Sequence, residues 1–551
     1  MEKTKKSFVA GAAILGIAGL IVKVIGAVYR IPLANIVGTE GMAYYEVAYP
    51  YYSWLLVISS AGLPTAVSKL VSERLAIGDG IGAKRVFSAA MRLLCLIGVF
   101  TSILLFALSG GIASLSGAEP AKYSLMALAP ALLFVSLMCA YRGYLQGMQC
   151  MTGTAISQIV EQVAKLIVGF SLAAYFVRAM PKRPEMAAMG ALIGVSVSEL
   201  IALLVIKYYY SISLKKGRLM VGELAKRQTI THGPSMKAIT KRLLLIAIPI
   251  TIGASIMPIT GIADSVFIIN ILESKNVALG MTIEAANEAA RASYTVLRSY
   301  VTPLINMPAV LTLALSMSLV PAISEANTRH DKRTVRNASS TGLKLAMFIG
   351  APCAVGLFVV GGPIMAMLYS AVRNRPEIFT QAQEVMYIAA IGVLFLSLVQ
   401  TLTGIIQGLG KPQIPVYFLA IGGVVKVASM LILMHFTDLG ILGAALSTVL
   451  CYAIAGIADT VYLIKKGRVH ISYLDTFIKP IFASILMGLS VWGSYTLASK
   501  SGHMTVATVL SVGIGVVVYC VAMLIIRPFS ASDFTFLPKG EKLKKLFKVK
   551  N

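Results

Sequence analysis

Residues 141–165 read YRGYLQGMQCMTGTAISQIVEQVAK: the end of one apolar helix, a short Gly/Thr turn, and the start of the next. The pattern returns 261 positions later, where Gly404-Ile-Ile-Gln407-Gly408 runs into a turn at Gly410-Lys411-Pro412 and Lys426 follows. Gln146 corresponds to Gln407, Gly147 to Gly408 and Lys165 to Lys426. Self-similarity at that distance in a 551-residue chain predicts two similar halves.

The solvent of those halves follows from composition. Hydrophobic residues make up 57% of the chain and charged residues 13%, against roughly 25% charged in a soluble domain. Apolar stretches recur from end to end, each long enough to cross a hydrocarbon core of about 30 Å as a helix. The net charge of +26 is gathered in short loops and in a basic tail, where it orients helices and attracts anionic headgroups. No nucleic-acid partner is expected. The six cysteines stand singly, with no CxxC pair, so neither a zinc site nor a disulfide framework is indicated.

The expected fold is an all-α polytopic membrane protein of about 14 transmembrane helices. Fourteen apolar segments, spans 1–14, run at about 8–34, 43–71, 86–109, 122–147, 154–177, 187–213, 243–271, 294–324, 342–369, 383–409, 414–436, 440–464, 474–498 and 504–527. With the N-terminus inside, the inner segments carry 31 Lys and Arg and the outer ones 9, which predicts a multi-pass membrane protein with both termini cytoplasmic. A second internal match supports the repeat: Leu63-Pro64-Thr65-Ala66-Val67-Ser68-Lys69 ends span 2 and Leu319-Val320-Pro321-Ala322-Ile323-Ser324-Glu325 ends span 8, 256 positions on. Spans 1–6 thus align with 7–12 as two six-helix lobes in parallel repeat, a transporter architecture with its substrate site between the lobes. The expected division is an N-lobe over 1–213, a basic cytoplasmic linker over 214–242, a C-lobe over 243–465, two extra helices within 466–527, and a basic tail over 528–551.

Enzyme signatures are absent: no HExxH, no GxSxG, and at 404–411 a spacing unsuited to a phosphate loop, with Pro412 where Ser or Thr is needed. The informative residues are charges inside spans, each costing at least about 2.5–3.5 kcal/mol at mid-bilayer unless it is answered. Lys23 lies roughly 22 Å into span 1 at 1.5 Å per residue. Arg30 and Glu46 fall near the outer ends of spans 1 and 2, Asp264 and Arg298 near those of spans 7 and 8. The first reading is an outer ion-pair layer of Arg30, Glu46, Asp264 and Arg298 closing a cavity, with Lys23 beneath as an anion-binding charge; the second is independent snorkelling of the four to the headgroups. Glu161 and Lys165, at i and i+4, are expected to pair within a lobe. Arg142, Gln146, Gln407 and Lys426 are given structural or secondary roles, as are Glu199 and Asp459 in spans 6 and 12. Pro50 and Pro64 in span 2, Pro249 and Pro258 in span 7, and Pro303 and Pro308 in span 8 are the expected hinges.

The stretch YRGYLQGMQCMTGTAISQIVEQ, with GLPTAVSK ending span 2 and LVPAISE ending span 8, resembles the stage V sporulation protein B / polysaccharide transport branch of the multidrug/oligosaccharidyl-lipid/polysaccharide exporter superfamily, a branch similar to the bacterial lipid II flippases. The resemblance implies a V-shaped two-lobe fold with a central cationic cavity. It also implies flipping of undecaprenyl-pyrophosphate-linked sugars. In span 1, Lys23-Val-Ile-Gly26-Ala-Val-Tyr29-Arg30 resembles the flippase pattern of two basic residues flanking a glycine, with the second displaced by one onto Arg30. The basic pair those flippases carry in span 2 is missing near Trp54–Val57. The expected function is a lipid-linked oligosaccharide flippase for lipid II or a related cell-wall or spore-cortex precursor, working without a cofactor and driven by membrane potential or by a Na+ or H+ gradient. Its expected partners are the polyprenyl-linked sugar, membrane lipids and the proteins of cell-wall or spore-cortex synthesis. The alternatives are a cation-coupled multidrug exporter, a capsular or O-antigen-type repeat-unit exporter, a membrane-embedded glycosyltransferase or polymerase, and a transport-dead scaffold in spore assembly.

Overall fold

A computed structural model of the chain describes residues 2–215, 235–467, 469, 471–500, 502–530 and 533, with side chains from Ile14 to Ser213 and from Ser235 onward. Most of the expected linker (216–234) and of the tail (534–551) lies outside the described residues. Those described are helical, with short turns, as lipid demands of a chain that must satisfy its own backbone. Thirteen helices are long and apolar enough to span a membrane. The first, reaching Ala76, holds two of the fourteen expected spans.

The helices, in chain order, are α1 (Glu2–Ser60), α2 (Leu63–Ala76), α3 (Gly80–Leu115), α4 (Ala121–Gly147), α5 (Met151–Ala179), α6 (Pro184–Lys215), α7 (Met236–Ala278), α8 (Ile283–Thr295), α9 (Thr302–Thr328), α10 (Lys332–Leu368), α11 (Ser370–Asn374), α12 (Pro376–Gly408), α13 (Gln413–Phe436), α14 (Ile441–Lys465), α15 (Lys479–Ser499) and α16 (Met504–Ile526). The loop expected between spans 1 and 2, residues 35–42, contracts to Gly38, the one non-helical residue in α1, at φ 76° and ψ 175°. The bend there is sharp. Sixteen residues of straight helix would separate Arg30 from Glu46 by roughly 24 Å, yet their side chains meet at 3.3 Å. Span 2 is itself interrupted at Ala61 and Gly62, and Pro64 opens α2, where its missing N–H costs nothing.

The other prolines divide. Pro50, Pro249, Pro258 and Pro308 lie inside continuous helices. Pro303 follows a π-helical turn at Val296–Val301. Its ring excludes the carbonyl four residues earlier from the ladder, and Thr302 Oγ1 donates to Leu297 O at 2.6 Å. A further kink falls at Val360, where Pro363 removes a ladder hydrogen bond and crowds the Val359 carbonyl.

Contacts group the chain into two units, residues 1–273 with 280–292, and 274–279 with 293–551. The expected C-lobe began at 243. Instead α7 belongs as far as Glu273 to the first unit. The reason is close packing: a Cβ on Gly62 would stand 2.3 Å from the Ala247 carbonyl oxygen, Arg242 pairs with Glu73 at 3.2 Å, and Asn270 Nδ2 donates to Leu115 O at 2.9 Å.

Within each unit the same small-residue contacts recur. A Cβ on Gly98 of α3 would meet the Ser136 Cβ of α4 at 2.8 Å, and one on Gly350 of α10 would meet the Ser397 Cβ of α12 at 2.8 Å. Gly143 and Gly147 seat against Pro64–Val71; Gly404 and Gly408 seat against Ser316–Ile323. These contacts equate Pro64, Ser68 and Val71 with Ser316, Val320 and Ile323, an offset of 252 rather than the 256 of the sequence match. Four residues are about one helical turn, so the shifted register presents nearly the same face. The two quoted turns are also alike in structure. Gln149 (φ 59°) and Gly410 (φ 79°) occupy left-handed positions, while Cys150 N donates to Leu145 O and Lys411 N to Ile406 O, closing each helix with a Schellman pattern.

The second unit ends in a latch. Asp533 accepts from Lys344 Nζ at 2.8 Å and Thr341 Oγ1 at 2.5 Å, and from the Ser530 N–H at 2.7 Å. Burial pushes this carboxyl up, but those hydrogen bonds and the Lys344 charge outweigh burial and hold it below the usual carboxylate range.

Two expectations follow from these contacts. Gly147→Leu places a Cβ 2.7 Å from the Ser68 carbonyl oxygen, so Tm in detergent should fall by the equivalent of about 1–3 kcal/mol or more; an unchanged Tm would refute the close contact. Asp533 contributes stability that is fully present above its unfolded value near 4 and is lost as pH falls through its lower folded value. Wild-type Tm should therefore drop between about pH 5 and pH 3 by more than that of Asp533→Asn, which starts lower.

Candidate functional site

Arg30 and Glu46 face each other across the Gly38 bend, Nη2 to Oε1 at 3.3 Å, with Glu46 fully buried. A glutamate at zero exposure needs such an answer, since an unanswered buried charge costs several kcal/mol. Arg30 also lies 5.7 Å from the Tyr49 ring centre. Lys165 of α5 reaches the same cluster, 5.4 Å from the Tyr29 ring and 5.7 Å from Tyr49, and Tyr29 stacks on Phe170 at 5.0 Å. Two cations thus share an aromatic wall, each attracted to the negative ring faces.

This placement of Lys165 corrects the expected Glu161–Lys165 pair. Glu161 is held by Arg142, Nη2 to Oε2 at 2.8 Å, while Arg142 Nε donates to Ser157 Oγ at 3.1 Å. Arg142 of α4 is therefore not snorkelling to the membrane surface. A guanidinium fork serves a carboxylate and a hydroxyl together, which an ammonium one turn away cannot match in fixed geometry. Lys165 is left to the tyrosines, a partner class that i,i+4 charge counting does not register.

The remaining expected charges lie on other stretches of helix. Lys23 is exposed on α1 and makes no side-chain hydrogen bond or ion pair among the described residues. Asp264 is buried on α7 in the first unit, and Arg298 sits inside the π-helical turn of the second. Of the four charges expected to form one layer, Arg30 and Glu46 form an ion pair within the first unit. A pair the sequence reading missed is Arg291 with Glu40 at 3.7 Å; Arg291 also lies 5.3 Å from the Tyr44 ring. Gln146 is half-buried and Gln407 exposed, with their main chains in the two helix-ending turns. Lys426 is buried on α13.

Glu199 of α6 and Asp459 of α14, 260 positions apart, are both buried. Glu199 Oε2 and both carboxyl oxygens of Asp459 have no hydrogen-bond partner among the described residues. The two acids are the mates that the repeat places in spans 6 and 12. Among the described residues no group of three or more His, Cys, Asp and Glu side chains could hold a metal ion.

The family profile described as "Polysaccharide biosynthesis protein" matches residues 8–327. The chain belongs to that family. A second profile, MatE, matches residues 298–432, so this family member carries both marks of the multidrug/oligosaccharidyl-lipid/polysaccharide exporter superfamily. It is similar to the protein named lipid II flippase MurJ of Bacillus subtilis (strain 168), 27% identical over 537 residues that cover 93% of this chain and 94% of that one. It is also similar to the stage V sporulation protein B of the same organism, 27% identical over 450 residues, 81% of each. Among solved structures, the lipid II flippase MurJ in an inward closed conformation superposes with a TM-score of 0.69 at 15% identity, covering 93% of this chain and 98% of that one. The family member is thus a multi-pass membrane protein of a transporter and flippase superfamily, with the fold those transporters share.

Glu161→Gln strands Arg142 without its counter-charge in a pair only 14–15% exposed. It should cost about 3–5 kcal/mol, whereas Arg142→Met with Glu161→Leu should recover most of that loss. Tm of the three proteins in detergent checks it; equal losses in the single and double variants would contradict the pairing.

Proposed function

We propose that this chain is a flippase for polyprenyl-pyrophosphate-linked sugars, with lipid II or a related cell-wall or spore-cortex precursor as cargo. The observation that carries the proposal is Lys23. It is a cation about midway along a membrane-spanning helix, exposed, and free of any ion pair or side-chain hydrogen bond among the described residues. An unanswered charge at that depth is expensive to keep, and an anionic headgroup is the ligand that would answer it. Arg30, two turns further along α1, is already held by Glu46, which leaves Lys23 to the pyrophosphate. Full-length similarity to a protein named lipid II flippase supports the same reading. The polyprenyl tail would stay in lipid while the headgroup crosses. Both termini lie in the cytoplasm on this reading, following the Lys and Arg asymmetry.

The driving force we propose is the membrane potential or a Na+ or H+ gradient, one elementary charge gaining about 2.3 kcal/mol per 100 mV. A cation-coupled drug exporter is the second reading, favoured by the MatE match over residues 298–432.

Cells depleted of this chain and its paralogues, with a probe for lipid II on the outer leaflet, supply the test. Wild type should restore exposure. Lys23→Gln should lower the rate about 10–100-fold, the worth of a charge-assisted hydrogen bond, and Lys23→Arg should retain most of it at equal protein level. Unchanged exposure on depletion of every paralogue would sink the lipid II assignment. Full activity of Lys23→Gln would remove Lys23 from the site.

A further inference from the structure

The face of the second unit that carries the C-terminal segment holds a cavity of about 520 Å³, which shares no residue with the candidate functional site. Lys332, Arg333, Arg336 and Lys344 line it, with Asp533 as the carboxylate among its lining residues. That carboxylate is already committed. It accepts from Lys344, Thr341 and the Ser530 N–H, and from Ser530 Oγ at 2.8 Å. The acid at the adjoining turn, Asp331, is committed as well: it accepts from the Thr334 N–H at 3.0 Å and Thr334 Oγ1 at 2.6 Å. The Thr334 hydrogen bonds hold its carboxyl below the usual range.

Lys332, Arg333 and Arg336 make no side-chain hydrogen bond or ion pair among the described residues. All three stand in the first two turns of α10. There the positive end of the helix dipole opposes cations and favours an anion, while Asp331 already takes the Thr334 N–H. The positive-inside rule explains why basic residues gather at a loop. It does not explain why three of them converge on one cavity whose carboxylate is spent elsewhere. A second cavity of about 280 Å³ shares Lys332 and Arg336 and adds His330, Lys411 and Lys466 to the same basic face.

We propose that the α10 cavity binds a phosphate group, carried by an anionic phospholipid headgroup at the membrane surface or free in solution. Two guanidinium forks and two ammonium groups suit the tetrahedral oxygens of a phosphate. The bound anion neutralises the cations beside the Lys344–Asp533 latch and so steadies the docked segment around Ser530. The inference is independent of the transport substrate, since none of these residues was given a transport role.

The experiment uses the purified full chain in detergent, with Tm read after adding phosphatidylglycerol, phosphatidylcholine or inorganic phosphate. Phosphatidylglycerol should raise Tm by about 2–4 °C, and phosphatidylcholine should not. Arg333→Gln with Arg336→Gln, both outside the packed core, should keep the ligand-free Tm and lose more than half of the rise. A matching rise with inorganic phosphate identifies free phosphate as a sufficient ligand; a rise with phosphatidylglycerol alone identifies the headgroup. An equal rise with phosphatidylcholine, no rise with either anion, or a full rise in the double variant would overturn the site.

Discussion

No water enters the hydrocarbon core to solvate a backbone amide or a charge, so every irregularity in this chain must be answered by protein. The bend at Gly38 illustrates the constraint. It turns α1 back on itself, and the turn is what brings Arg30 to the buried Glu46. Straighten the helix and a carboxylate at zero exposure loses its cation. The π-helical turn ahead of Pro303 obeys the same rule on a smaller scale, with the Thr302 hydroxyl serving a carbonyl of the distorted ladder.

The two units solve packing in one way, twice. Hydrophobicity cannot hold helices together where the surroundings are equally apolar, so close approach of small residues does much of that work. Gly98 on Ser136 and Gly350 on Ser397 are the same contact in different halves. Gly143 and Gly147, with Gly404 and Gly408, dock the end of one helix on another by repeated means. The cores follow: Leu63, Val67, Val71 and Leu145 cluster in the first unit, and Leu319, Ile323, Leu402 and Ile405 in the second.

The helical class and the repeat were legible because lipid imposes length and apolarity on every span, and both survive in composition. What failed was finer than a helical turn. The 256-residue match slid by four positions because LPTAVSK and LVPAISE share letters, while the glycine contacts that define register come from a different helix. Glu161 was matched to its neighbour in sequence, whereas its cation, Arg142, sits across the helix hairpin. Contacts carry α7 with the first unit, and nothing in the composition of α7 reveals that Gly62 lets Ala247 approach so closely. In the expected site, Lys23, Arg30, Glu46, Asp264 and Arg298 were all singled out by depth alone, since a charge deep in an apolar helix stands out in any sequence.

The Lys344–Asp533 contact has a bearing on how the protein is made. Its two ends are 189 residues apart, and Lys344 is 9% exposed. A ribosome adding about 5–20 residues each second needs roughly 10–40 seconds to supply the second after the first. Throughout that interval α10 is synthesised but its buried lysine has no counter-charge, and the second unit cannot complete its packing. The second unit is thus incomplete until the segment after α16 has been made, and a truncation just short of Asp533 would leave every described span intact yet Lys344 unanswered.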